Sequence, residues 1–251
     1  IFQGGGEVIL NAEDPIVARM TRSNRTTTRF TLNKPVENEF GVRSKNDQPW
    51  LAFEKNLLMP ISEMKIQGTH NIANALAALA LGKAVGLETE PMLEVLKKWP
   101  GLPHRCEWVA EHNDVDWYND SKGTNEGATV AAIKGFEQRP IILIAGGDAK
   151  GAKFEELAVT TKGRVKRAIL FGKDASLLKQ VLAAVTDIEV VSDLESAVTA
   201  AKKVAISGDQ VLLSPACASL DMFKNYQARG TAFAEAVHKV CAENSDEDSG
   251  S

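Results

Sequence analysis

The hydrophobic and polar positions of this chain follow two regimes that meet near residue 100. Beyond it, apolar runs at Ile141–Ala145, Ala168–Phe171, Ile188–Val191 and Val211–Leu213 alternate with helical stretches near Ala128–Gly135, Phe154–Thr160, Ala175–Val185, Leu194–Ile206 and Gln227–Val240. Short, continuously apolar, β-branched runs are what a parallel sheet covered on both faces requires. Two alternating runs, Cys106–Glu111 and Val115–Asn119, meet at Asn113-Asp114 and predict a β-hairpin, because Asn and Asp tolerate the left-handed backbone of a tight turn. Ser192-Asp193-Leu194-Glu195 has the spacing of a capping box. Residues 104–242 therefore read as a doubly wound, Rossmann-like α/β domain.

Before residue 100 the runs are shorter and less regular. Val8–Leu10 reads as a buried strand. Thr28–Leu32, Phe40–Arg43, Trp50–Glu54 and Leu57–Pro60 predict a small antiparallel sheet. An Ala- and Leu-rich helix is expected from Ala75 to about Val85, buried nearly all round and stopped by Gly86. A second helix, Pro91 to Trp99, carries Met92, Val95, Leu96 and Trp99 at i, i+3, i+4 and i+7. Gly4-Gly5-Gly6 precedes a strand and lacks the Lys-Ser/Thr of a phosphate loop, so it reads as flexible. Pro100-Gly101-Leu102-Pro103 is a rigid break and an expected hinge between the first domain, 1–103, and the second. Residues 243–251, acidic and without aromatics, are expected to be a disordered tail. Because a strand-like run follows Ile1 almost at once, the chain is expected to begin inside a domain.

Composition narrows the function. A formal charge of −4 on 251 residues argues against nucleic acid or an anionic membrane as the main partner. No apolar run approaches a membrane span. Cys106, Cys217 and Cys241 lack CxxC spacing, and four scattered histidines form no ligand pattern, so no metal site is expected and a reducing, cytoplasmic setting fits.

In a doubly wound sheet, ligands gather outside the carboxyl ends of the strands. The segments found there are Asp120–Asn125, Gly146–Lys150, Gly172–Asp174, Ser192-Asp193 and Ser214–Ser219. They bring Lys122, Thr124, Lys150 and Ser219 to one rim, a pocket for a small molecule with more than one carboxylate or phosphate. Singly, each has a plainer reading. Lys150 alone is a solvated lysine, Ser219 or Asp120 a helix cap, and Cys217 a small buried residue with no His to activate it. His70 and His104 read as structural, and Asn71 and Asn74 as caps of the Ala-rich helix. Their joint placement favours an anionic-ligand site on the seam between the domains.

Asn119–Asn125 (NDSKGTN), Leu102–Arg105 (LPHR), Gly146–Lys150 (GGDAK), Leu213–Tyr226 (LSPACASLDMFKNY) with Arg229-Gly230, and His70–Ala78 resemble the Mur ligases, above all their D-glutamate-adding branch. The resemblance covers nearly the whole chain except its tail. It implies that residues 1–103 are the C-terminal part of a central α/β ATPase domain. It also implies ATP-dependent amide formation between UDP-N-acetylmuramoyl-L-alanine and D-glutamate, through an acyl phosphate, in peptidoglycan precursor synthesis. Carried over, Lys122, Thr124 and Lys150 hold the α-carboxylate of D-glutamate, and Ser219 with the backbone at Tyr226 holds the side-chain carboxylate. Asn71 and Asn74 face adenine, with Arg105 and Asp120 near the ribose and phosphates. The phosphate loop and the Mg²⁺ ligands are expected upstream, so the chain alone is expected to lack turnover and no catalytic residue is assigned within it. The family usually has Ala at the position of Gly123, a change expected to loosen the turn. A folylpolyglutamate synthetase of the same fold and a binding module without turnover remain the alternatives. No GxGxxG follows a strand, which argues against a nicotinamide dehydrogenase.

Overall fold

The computed structural model describes residues 5–66, 68–136 and 139–242, in two units, Ile1–Pro100 and Gly101–Ser251. The proposed tail, 243–251, lies outside the described residues, as does Gly4.

In the first unit, β1 (Val8–Asn11), β2 (Thr27–Phe30), β3 (Glu39–Lys45), β4 (Gln48–Phe53) and β5 (Asn56–Pro60) form one sheet in sequential order. The sheet is mixed, not antiparallel: β1–β2 and β2–β3 pair parallel, and only β3–β4–β5 form an antiparallel meander. Alternation within a run shows which face is buried. It carries no information on the direction of the partner, and that is where the sequence reading fails. Phe40, Leu51 and Met59 pack with Leu76, Leu79, Leu93 and Leu96 from α2 (Thr69–Ala84) and α3 (Thr89–Lys98).

Helix α2 opens six residues before the expected Ala75. Gly68, at φ 97°, forms its N-cap without a side-chain bond, so Asn71 and Asn74 lie inside the helix and do not cap it. Its burial is one-sided, since Leu81 and Val85 are 57% and 75% exposed. In α3 the buried residues are Leu93 and Leu96, while Val95 and Trp99 face out.

The second unit carries a six-stranded sheet: β6 (Glu107–His112), β7 (Val115–Asn119), β8 (Ile141–Gly146), β9 (Val165–Phe171), β10 (Asp187–Val190) and β11 (Gln210–Leu213). The order is β10-β9-β8-β11-β7-β6, all parallel except the edge strand β6. One face is covered by α4 (Glu126–Gly135), α5 (Glu155–Thr161) and α6 (Ala175–Leu182), whose Ile133, Leu157 and Leu178 pack with Leu143, Leu170 and Leu212. The other is covered by α7 (Leu194–Val204) and α8 (Tyr226–Ala242), whose Val198, Phe233 and Val237 pack with Trp117, Ile142, Ile144 and Val211. Burial on both faces explains why these strands read as continuous apolar runs. The head of α7 differs from the expected capping box. Asp193, in extended conformation, is the N-cap and accepts from Ser196 N at 2.8 Å, while the Ser192 hydroxyl donates to Asp193.

The chain steps outward from β8 to β9 to β10 and then returns to insert β11 between β8 and β7. Strand order reverses between β8 and β11, the place where such sheets open a ligand crevice beyond their carboxyl ends. Among the described residues no helix is long and apolar enough to cross a membrane.

Candidate functional site

The loop leaving β7 is shaped by inward-facing polar groups. Asp120 is only 7% exposed and is not a helix cap; that role falls to Asn125, which accepts from Ala128 N. The Asp120 carboxylate accepts from Ser214 Oγ at 2.7 Å and from Cys106 N at 3.3 Å. Burial pushes its pKa up to about 6, against the pull of these bonds and of Arg105. Ser214 is also bonded to Thr129. A Cβ on Gly123 would lie 2.5 Å from Asp120 Oδ2 and 2.7 Å from Ser214 Oγ. The glycine makes room for this buried bond.

Beside it, Asn119 accepts from Ser121 N and donates to Gly230 O and to His104 Nδ1, at 3.1, 3.1 and 3.0 Å. His104 packs so close to Gly230 that a Cβ there would lie 2.3 Å from Nδ1. Lys122 N donates to His104 O, and its ammonium sits 4.2 Å from the centroid of the Tyr226 ring. Ser121 Oγ donates to Tyr226 O at 2.8 Å. Thr124 is half-buried. Arg105 is exposed and adds positive potential at Asp120.

The loops leaving β8 and β11 interlock. Gly146 and Gly147 adopt φ of 140° and 131°, and a Cβ on either would run into Phe171 O or Ala218 O, so both positions demand glycine. Asp148 and Ala218 exchange N–H···O bonds of 2.9 Å in each direction, which sets the loop of Lys150 against the loop of Ser219. Asp148 also accepts from Lys150 N at 2.9 Å and from Lys173 Nζ at 3.2 Å, and these bonds hold its pKa below the usual carboxylate value. Lys150 is exposed and Ser219 is nearly buried, and among the described residues the ammonium makes no salt bridge and the hydroxyl no hydrogen bond. The Cys217 thiol is buried and pushed up to about 12, which removes it as a nucleophile. A groove of about 930 Å³ is lined by Val191, Asp193, Leu194, Met222, Phe223 and Lys239; it takes in Asp193 of the expected carboxyl-end segments but none of Lys122, Thr124, Lys150 and Ser219.

Residues 104–217 match the family model described as Mur ligase, glutamate ligase domain. This segment is a Mur ligase domain. The chain is 48% identical over 241 residues to the UDP-N-acetylmuramoylalanine--D-glutamate ligase of Nitrosococcus oceani, covering 96% of this chain and 53% of that protein. It is 45% identical to the protein of the same name from Pseudomonas aeruginosa, covering 96% and 54%. The chain thus spans about half the length of the curated relatives it matches. Among solved structures it resembles the MurF ligase of Thermotoga maritima in complex with ADP, at TM-score 0.64 and 15% identity, covering 96% of this chain and 55% of that one. It also resembles a folylpolyglutamate synthase of Thermotoga maritima, at TM-score 0.51 and 19% identity, covering 80% and 48%. At these identities the likeness is one of fold.

Within the second unit, Lys122, Thr124 and Tyr226 gather at the β7 exit, and Lys150 and Ser219 follow β8 and β11. Asn71 and Asn74 stand one turn apart in the first unit, with Asn74 Nδ2 3.5 Å from Asn71 Oδ1. Sequence reasoning missed the buried Arg229, which ties these loops together, and Lys173, which pairs with Asp148. The signal for Arg229 was present. It lies four and eight residues before Phe233 and Val237, on the face that packs against the sheet.

Proposed function

We propose that this chain delivers the incoming amino acid in an ATP-dependent ligase that joins D-glutamate to UDP-N-acetylmuramoyl-L-alanine. The observation that carries this reading is 45–48% identity, over 96% of the chain, to relatives named as ligases of D-glutamate. The geometry supports it. From adjoining loops, Lys150 and Ser219 offer an ammonium and a hydroxyl, neither paired among the described residues, which suits two separate carboxylates on one ligand. Lys122 and Thr124 complete the α-carboxylate end, and the Tyr226 backbone adjoins the side-chain end. Asp120 shapes the loop beneath them through Ser214 and Cys106.

ATP, when bound, supplies phosphoryl activation of the substrate carboxylate, so that the amine displaces phosphate. Arg105, exposed and cationic, fits a phosphate contact, and Asn71 and Asn74 fit adenine edges through their amides. Among the described residues no group of three or more His, Cys, Asp or Glu side chains could hold a metal ion, and the Mg²⁺ that would accompany ATP is assigned no residue of this chain. The task left to this chain is to hold a dicarboxylic amine in attack geometry, where gains in effective concentration are large. Three free cysteines and a nucleotide-sugar substrate support a cytoplasmic setting.

Phosphate release by the intact gene product tests the reading, with ATP, Mg²⁺, UDP-N-acetylmuramoyl-L-alanine and D- or L-glutamate. Release with D-glutamate and not with L-glutamate supports it. Release only with a pterin substrate would make the protein a folylpolyglutamate synthetase, and silence with every substrate would leave a binding module.

A further inference from the structure

Arg229 lies in the first turn of α8 and is 0% exposed. Its partners are neutral oxygens on three separate loops. Nε donates to Ser121 Oγ at 3.0 Å and Nη2 to Ser121 O at 2.9 Å, on the loop leaving β7. Nη1 donates to Gly146 O at 3.4 Å, where β8 ends, and to Cys217 O at 3.1 Å, beyond β11. Those loops carry Lys122 and Thr124, Lys150, and Ser219 respectively.

A buried guanidinium facing carbonyls is costly to desolvate, and burial draws its pKa down to about 10. An apolar side chain of similar volume would fill the same space without that cost. It would lack the planar fork of donors that fixes several acceptors in direction at once. We propose that Arg229 is a positioning residue, whose guanidinium sets the spacing between the loops leaving β7, β8 and β11 and so between the groups that grip the two carboxylates. The proposal rests on the ligase reading for the identity of the ligand, but not for the clamp itself.

Two local facts make the clamp matter. The β8 and β11 loops leave no slack, since Gly146 and Gly147 touch neighbouring carbonyls and Asp148 bridges to Ala218. Ser121 Oγ, which accepts from Arg229, passes a bond on to Tyr226 O. Loss of the fork therefore frees the β7 loop and the Tyr226 backbone together, and leaves the loops of Lys150 and Ser219 joined through Asp148 and Ala218.

The test is hydrogen exchange on the 251-residue chain, wild type against Arg229→Lys, which keeps the charge and loses the fork. Amides of residues 120–125 and 226 should exchange about tenfold faster, with those of strands β8 and β11 unchanged. D-glutamate affinity should fall about tenfold, the order expected for losing charge-assisted bonds that orient the site. Ser121→Ala, which removes one acceptor and leaves the guanidinium in place, should move the same amides less. Uniform loss of protection would reduce Arg229 to a stability residue, and unchanged loop exchange in both variants would remove its role. If wild type does not bind D-glutamate yet Arg229→Lys still loosens residues 120–125, the ligand reading fails and the clamp stands.

Discussion

The two ends of the second sheet are built from similar residues and come out opposite. At the amino ends of its strands, Arg139 donates to Gly208 O at 2.8 Å, to Asp116 at 2.6 Å and to Asp114, while Ser207 Oγ donates to Asp114. Lys166 pairs with the buried Asp209, which also accepts from Ile206 N. These charges close on one another. At the carboxyl ends, Asp120, Ser121 and Arg229 are closed in the same way, but among the described residues Lys150, Ser219 and Arg105 make no side-chain bond or salt bridge. A self-satisfied cluster is a lock that holds strands in register. Cations and a hydroxyl left open above such a lock form a place for an anion. The difference lies in which groups keep free valences, and composition does not show it.

If that contrast is right, the largest effect belongs to the closed end. Arg139→Ala leaves Gly208 O without its donor and strips Asp116 and Asp114 of their guanidinium, although Asp116 keeps Trp108 Nε1 and Asp114 O keeps Gly208 N, and it should cost about 3 kcal/mol of stability. D-glutamate affinity should stay within about twofold. Thermal melts with parallel titrations decide this, and a binding loss without a melting shift would reverse the assignment of the two ends.

Lys150→Ala is the mirror experiment. Its ammonium makes no salt bridge among the described residues, so the melting temperature should hold, while D-glutamate binding should weaken about ten- to a hundredfold through loss of a charge-assisted bond. A variant that melts lower yet binds normally would make Lys150 a structural residue.

Asp120 sharpens the comparison through pH. Its carboxyl titrates near 3.8 when unfolded and near 6 when folded, because burial disfavours the charge. Across that window the folded state keeps a proton that the unfolded state has lost. The contribution of Asp120 to stability is therefore largest below pH 3.8, falls as pH rises towards 6, and is lost above it. The span is on the order of 3 kcal/mol. Asp120→Asn should flatten this slope in melts taken from pH 4 to 7, and an unaltered slope would place the titration elsewhere.

The smallest effect is expected at Ser219. Its hydroxyl is a neutral donor, so Ser219→Ala should weaken D-glutamate about fivefold, less than Lys150→Ala, with nucleotide affinity unchanged. A larger loss than that of Lys150→Ala would exchange their weights in the site.

Much of this contrast was legible in the sequence. The apolar runs 141–145 and 211–213 announce a two-sided parallel sheet, and small residues with Lys or Ser after each strand mark its carboxyl end. Two kinds of feature went unread. The parallel pairings of β1–β2 and β2–β3 depend on partners distant in the chain, whereas the start of α2 behind a bare Gly68 cap and the Asp193 cap in place of Ser192 are local shifts among neighbouring candidates. Arg229 is the sharpest case: its place in the resemblance and its spacing to Phe233 and Val237 are visible in the sequence, but the three loops its guanidinium joins are not.

The most direct test of the open end is an amide-shift titration of the 251-residue chain with D-glutamate. The account predicts shifts at residues 120–125, 146–150 and 216–219, and silence at 114–116, 139–141 and 207–209. Shifts concentrated at the amino-end lock, or none at saturating ligand, would contradict it.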